Sequence, residues 1–269
     1  MNPPDDPYLA ALDRIGKIAQ ENRANPRQAM VQVLQVAIGM RTGAVLAQIL
    51  QTVGPVVQTG PFAGMKYHSR APLPGLLITK LLGCYESELH DVVKEITGRP
   101  YQQIVNVGCG EGYYAVGLAR LFPQLQVHAF DGDAIARQLC GMLARLNGVA
   151  DRVRIGGLCD VHQLRELARP GTLLVVDCEG GELELLDPVQ VPGLAGCDIL
   201  VELHDCFKPG TSAAIAARFE RTHDVQLIPQ AGRNPNAYPC MRGLHQFDQQ
   251  VSVCEHRPGP TPWAFMKHR

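Results

Sequence analysis

The chain has 269 residues, 46% of them hydrophobic, so it can bury a full core, and one large α/β domain with an appended segment is expected rather than a disordered chain. Lys plus Arg (25) nearly balances Asp plus Glu (26), and no basic cluster tracks a phosphate backbone, which argues against a nucleic-acid partner. Nine cysteines without a Cys-x-x-Cys pair, several inside apolar runs as at Cys178 and Cys197, read as reduced thiols of a cytoplasmic protein.

The first residues, Met1-Asn2-Pro3-Pro4-Asp5-Asp6, lack the basic n-region of a leader, and no uninterrupted apolar run reaches bilayer length; a soluble protein without a membrane partner is expected. Helical periodicity runs from about 7 to 53, with Leu9, Leu12, Ile15 and Ile18 on one face, and Pro26 divides it into two pieces. The second piece is apolar over much of its surface (Val33, Val36, Ile38, Val45, Leu46, Ile49, Leu50), which predicts burial against the main domain or a homodimer contact. A Pro/Gly-rich connector from Gly54 to Pro74 carries a polar cluster, Lys66, Tyr67, His68 and Arg70, placed to cover a site or to lie in solvent. A helix is predicted from Gly83 to Ile96. The domain boundary falls there, with 1–79 as helical segment and connector and 80–269 as the main domain.

From residue 101 short apolar strands alternate with amphipathic segments, the pattern of βαβ units and a parallel sheet. Strands are predicted near 103–107, 126–131, 152–156, 172–177 and 197–203, and helices near 112–122, 134–147, 160–169, 181–187 and 211–221. Helices are expected to stop after about 222, where 225–228 and 263–266 read as two further strands joined by polar, Pro/Gly-rich sequence. The sum is a Rossmann-like three-layer sandwich with a mostly parallel seven-stranded sheet closed by an antiparallel strand.

Ile104-Val105-Asn106-Val107 runs directly into Gly108-Cys109-Gly110-Glu111-Gly112, and a helix opens at Tyr113. Glycines there permit a tight turn with a ligand against the backbone and helix amides facing it. The next strand ends at Asp131, an acid placed to accept from both ribose hydroxyls of an adenosine ligand. A dinucleotide fingerprint, Gly-x-Gly-x-x-Gly, would put a third glycine at Tyr113; the spacing here is Gly-x-Gly-x-Gly, which disfavours NAD. Asp160 either bonds the adenine amine or caps the helix that follows it.

The fourth strand delivers Asp177-Cys178-Glu179-Gly180-Gly181-Glu182, and the fifth Val201-Glu202-Leu203-His204-Asp205, to the carboxyl end of the sheet, where open α/β sheets bind ligands. Alternation puts Glu202 and His204 on one side of their strand, near the point where Asp177 emerges. Glu179 and Glu182 read equally well as carboxylates at a helix N-terminus.

Together with Val107-Gly108-Cys109-Gly110-Glu111-Gly112 and Ala129-Phe130-Asp131, these two stretches resemble the FkbM-type methyltransferases over roughly residues 80–269. The most specific element is Asp-x-Glu-Gly-x-Glu; Gly181 and Gly132 stand where that family often has histidine and proline. The resemblance implies S-adenosyl-L-methionine as cofactor and O-methylation of a small-molecule or sugar-containing acceptor. It implies cofactor contacts from Gly108, Cys109, Gly110, Glu111, Gly112, Asp131, Gly132, Asp160 and Asp177, and catalysis by His204, Asp177 and Glu202. His204 is the first candidate for the base, since its ordinary pKa lies near neutrality. Tyr85-Glu86-Ser87-Glu88 is placed near the methionine end of the cofactor. A divalent cation on Asp177, Glu202, His204 or Asp205 matches no recognised ligand spacing, and no metal is assigned. The alternatives are an NAD-dependent oxidoreductase and a non-catalytic nucleotide-binding protein.

Overall fold

A computed structural model describes residues 6–68 and 74–269, which cluster as two compact units. The first gathers residues up to Gln58, His68–Tyr85 and Arg233–Glu255; the second holds Thr59–Tyr67, Glu86–Gly232 and His256–Arg269. A single cut between 79 and 80 is therefore not how the chain divides: a segment near the C-terminus returns to the N-terminal helices.

In the first unit, α1 (Pro7–Glu21) and α2 (Pro26–Val53) flank the break expected at Pro26, and Asn25 caps α2 by accepting from the Gln28 amide. α2 buries Ala29, Thr42, Val45, Leu46 and Ile49, while Met30, Val31 and Leu34 stay exposed. An 18-residue window of α2 has a mean hydropathy of 1.5 with 22% of it buried. By length and composition α2 is thus long and apolar enough to cross a bilayer, although no uninterrupted apolar run of that length occurs in it. Isolated Gln and Arg residues interrupt the apolar run without lowering its average below that of a spanning helix.

α3 (Pro74–Leu82) follows. The helix expected from Gly83 to Ile96 begins only at His90, because Gly83, at φ 79°, is a stop signal for α3 rather than a start. The amides of Cys84 and Tyr85 turn back onto the Thr79 carbonyl.

The second unit opens with α4 (His90–Thr97), preceded by one 3-10 turn at Ser87–Leu89. It continues as β1 (Gln103–Val107), α5 (Tyr113–Leu121), β2 (Gln126–Phe130), α6 (Ala134–Leu146), β3 (Val153–Gly156), α7 (Val161–Leu167), β4 (Thr172–Val176), α8 (Glu182–Leu185), β5 (Asp198–Glu202), α9 (Thr211–Phe219) and β6 (His223–Ile228). After β6 the chain returns to the first unit as α10 (Gln246–Ser252), then ends in the second as β7 (Trp263–His268). α10 corrects the expectation that helices stop near 222; its seven residues, five of them polar and capped by His245, carry too weak a periodicity to read.

The sheet order is β3-β2-β1-β4-β5-β7-β6, parallel through β5 and antiparallel at β7, as expected. β1, β4 and β5 are buried at every position, which suits strands covered on both faces. Their core includes Val105, Leu174, Val176, Ile199, Val201, Ile215 and Phe219. Right-handed crossovers running one way from β1 to β3 and the other way from β4 to β5 put helices on both faces and open a crevice between β1 and β4.

Candidate functional site

Register builds one row of residues across that crevice. Val107 lies opposite Phe130 on β2 and Val176 on β4, and Val176 lies opposite Val201 on β5. The residues that follow, in sheet order Asp131, Gly108, Asp177 and Glu202, therefore share the carboxyl edge.

The glycine turn is held from both sides. Gly108, at φ 75°, has a carbonyl so close that an added Cβ would lie 1.5 Å from the Asp177 oxygen, so no side chain fits. Gly110, at φ 51°, would meet nothing within 4 Å, and the backbone there is open. Its amide donates to Asp131 Oδ2 at 2.8 Å, while the Asp133 amide donates to Asp131 Oδ1 at 2.8 Å, fixing the acid beside the turn. Cys109 is buried. Glu111 accepts from the Tyr67 hydroxyl at 3.2 Å, so the connector loop reaches the turn through a buried tyrosine. Lys66, beside it, is tied by backbone bonds to Asn147, and Arg70 lies outside the described residues.

On the other side of the crevice His204 is at the centre. Its side chain is 3% exposed, and its ring stacks on Phe207 with centroids 5.6 Å apart. Nδ1 donates to Glu182 Oε1 at 2.7 Å, while Nε2 faces Asp177 Oδ1 at 3.6 Å, Glu179 Oε2 at 3.4 Å and Glu202 Oε2 at 3.4 Å. Glu179 takes the left-handed backbone conformation, φ 54°, and Gly180 follows at φ 101°; this turn folds the loop back so that its amide reaches Glu182 Oε1 at 3.0 Å. Arg257 donates to Glu202, to Thr261 Oγ1 at 2.7 Å and to Glu86 Oε1 at 2.6 Å, and the Tyr114 hydroxyl donates to Glu86 as well.

The electrostatics follow from this crowding. Burial pushes the Asp177 carboxyl up to about 7, with Glu86 and Glu179 adding to the rise against the pull of His204 and Arg257. Burial alone would lower His204, but the Glu182 hydrogen bond and the Asp177 charge outweigh it, and its pKa is raised. Burial would raise Glu182, but the bonds from His204 and the Gly180 amide hold it below its ordinary value.

The structure thus brings Asp177, Glu202 and His204 together, as alternation along β5 predicts, and adds Glu179 and Glu182 to them. Asp160 is exposed and accepts from the Gln163 amide at 2.8 Å as the cap of α7, the second of the two readings given for it. Asp205 caps the turn before α9 through the amides of Gly210 and Ser212 and does not join the cluster. Gly132 is exposed, with Leu158 close beside its backbone. Glu86 lay in the Tyr85–Glu88 stretch expected near the cofactor, and Glu182 carried a signal only as part of Asp-x-Glu-Gly-x-Glu; Arg257, in the Pro/Gly-rich stretch before β7, had none. Leu158, close to the Gly132 backbone, and Ile135, in the first turn of α6, are 76% and 63% exposed.

No family model and no curated protein matches the chain. Among solved structures it is similar to a putative O-methyltransferase from Klebsiella pneumoniae, at 13% identity over 85% of this chain and 90% of that one, with a TM-score of 0.45. It is similar also to an O-methyltransferase from Bacillus cereus, at 13% identity over 84% and 91%, TM-score 0.43. A third is a human methyltransferase 10 domain containing protein, at 10% identity over 86% and 97%, TM-score 0.47.

Proposed function

We propose that the chain is a class I, S-adenosyl-L-methionine-dependent methyltransferase with FkbM-type motifs that methylates an oxygen of a small-molecule or sugar-containing acceptor. The observation that carries this reading is the shared edge at the switch point. The open Gly110 backbone and the pinned Asp131 stand on one side of it, and the Asp177, Glu202 and His204 cluster on the other. The residues fit such a cofactor: Gly110 leaves space, Asp131 offers an acceptor to the ribose, and exposed Leu158 and Ile135 offer apolar surface to a purine.

When bound, the cofactor supplies a methyl group already activated on a sulfonium. The chain's part is to hold donor and acceptor in line, and orientation of that kind supplies roughly 7 to 11 kcal/mol. An alcohol acceptor must also lose its proton, a service worth about 10² to 10⁴ in rate. Asp177, pushed up to about 7, and His204 beside it are the groups placed to take that proton. Glu182, bonded to Nδ1, orients His204 from behind, and Glu202, paired with Arg257, lies on its Nε2 side.

Calorimetric titration of the purified protein with S-adenosylhomocysteine and, separately, with NADH tests the reading. Saturable binding of the first alone is expected. Binding of NADH alone, or of neither, overturns it.

A further inference from the structure

We propose that Asp177, Glu179 and His204 form a binding site for one divalent first-row transition cation. One donor atom from each of the three lies within 4.8 Å of the others. The spacing from Nε2 is the informative part. At 3.4 and 3.6 Å from Glu179 and Asp177, it is too far for a charge-assisted hydrogen bond, which runs about 2.7–2.9 Å. It is the separation of two ligands that share an ion: bonds of about 2.1 Å at a tetrahedral angle put neighbouring donors about 3.4 Å apart.

Two further observations point to a ligand here. His204 is 3% exposed, and its Nε2 makes no hydrogen bond while aimed into the group of carboxylates. Asp177 Oδ1, on the facing side, is buried and has no hydrogen-bond partner either. Asp177 Oδ1 is polar, shielded from water and lacks the partner such an atom requires, and the Nε2 it faces has no hydrogen bond either. Four carboxylates, Asp177, Glu179, Glu182 and Glu202, converge on one imidazole, while Arg257 is shared between Glu202 and Glu86. Negative charge concentrated around a buried imidazole calls for a counter-cation.

The surroundings resemble those of a built metal site. Glu182 accepts from Nδ1, which sets the tautomer and turns the Nε2 lone pair toward the cluster, the arrangement by which a second carboxylate orients a metal-binding histidine. An imidazole among oxygen donors suits Mn²⁺, Co²⁺ or Zn²⁺ better than Mg²⁺. Three protein ligands leave positions open, at the edge where Asp177 meets the glycine turn. That an open position would hold the acceptor's oxygen rests on the proposed methyltransferase reading; the site itself does not. With a cation bound, Nε2 has no lone pair to take a proton, so cation binding and a base role for His204 are mutually exclusive.

The test is titration of the full chain with Mn²⁺, followed by electron paramagnetic resonance of the free ion, and with Co²⁺, followed by visible absorption, both without any nucleoside. About one Mn²⁺ per chain is expected. Glu182→Gln should weaken binding by about 10- to 100-fold, and the ligand changes Glu179→Gln and Asp177→Asn at least as much. Glu179 is exposed, so its variant keeps the fold even if a change at buried His204 does not. No saturable binding of either ion, or equal affinity in Glu179→Gln and Asp177→Asn, overturns the site. Metal binding without S-adenosylhomocysteine binding would leave the site standing and remove the methyltransferase reading; the reverse would do the opposite.

Discussion

Glu182 Oε1 and His204 Nδ1 meet at 2.7 Å at the buried base of the crevice, so the histidine is fixed in tautomer and direction by a residue one loop away on α8. His204 carries a pKa above its ordinary 6.5 and must be deprotonated at Nε2 either to accept a proton or to bind a cation. Turnover should therefore fall as pH drops through that raised value. Glu182→Gln should lower turnover by about 10- to 100-fold and move the acidic limb of the pH–rate profile toward lower pH, since the carboxylate that holds the proton is gone. An unmoved limb would show that Glu182 serves packing only. His204→Ala should abolish the limb while S-adenosylhomocysteine still binds.

Two glycines in one turn differ in what they tolerate. Gly108→Ala places a Cβ against the Asp177 carbonyl in a left-handed conformation, and should cost about 3 kcal/mol or more. Gly110→Ala meets open space and should cost about 1–2 kcal/mol while weakening S-adenosylhomocysteine binding. Denaturant unfolding of the pair checks the order; equal stabilities would contradict the contact described for Gly108.

Asp131 keeps both carboxylate oxygens on backbone amides of the turn and of the loop before α6. Asp131→Ala should lose about 1.5–3 kcal/mol of S-adenosylhomocysteine affinity, roughly 10- to 100-fold. Asp160→Ala, which removes a helix cap, should instead cost about 1 kcal/mol of stability. A tenfold affinity loss there would return Asp160 to the cofactor set.

Away from the site, Asp198 is fully buried and accepts from Arg99 Nε at 2.5 Å, the Tyr101 hydroxyl at 2.6 Å, and the His268 amide and Nδ1 at 3.0 and 2.8 Å. Burial would raise its pKa, but the bonds from Tyr101, His268 and Arg99 prevail, and it lies below 3.8. Its stabilisation is thus complete above the ordinary carboxylate pKa and is lost as pH falls through the depressed value. Asp198→Ala should cost about 3–5 kcal/mol at neutral pH. Thermal melts of both proteins from pH 7 down to 2 should converge only at the acid end.

The strands and their order of appearance were determined by sequence alone, because a fully buried parallel strand must be a short apolar run, and Ile104–Val107, Leu173–Val176 and Ile199–Val201 are such runs bounded by charge and glycine. The same holds for the glycine turn and Asp131, where backbone conformation itself demands the residue type. Alternation along β5 even placed Glu202 and His204 on one side. Period-based reading failed where local signals conflict or are weak. Gly83 ends a helix it was expected to begin, and short α10 buries the polar Asp248 and Ser252 while its Phe247 stays exposed.

What only the tertiary structure decided is how far-apart charges pair. Glu86, Glu202 and Arg257 come from three separate stretches of chain, yet share hydrogen bonds. Four carboxylates surround one imidazole because β4 and β5 are neighbours in register and the loop after β4 doubles back at Glu179. Such pairings are non-local, and no spacing along the chain encodes them; burial makes each of them matter, since a buried charge is tolerated only with its partners in place.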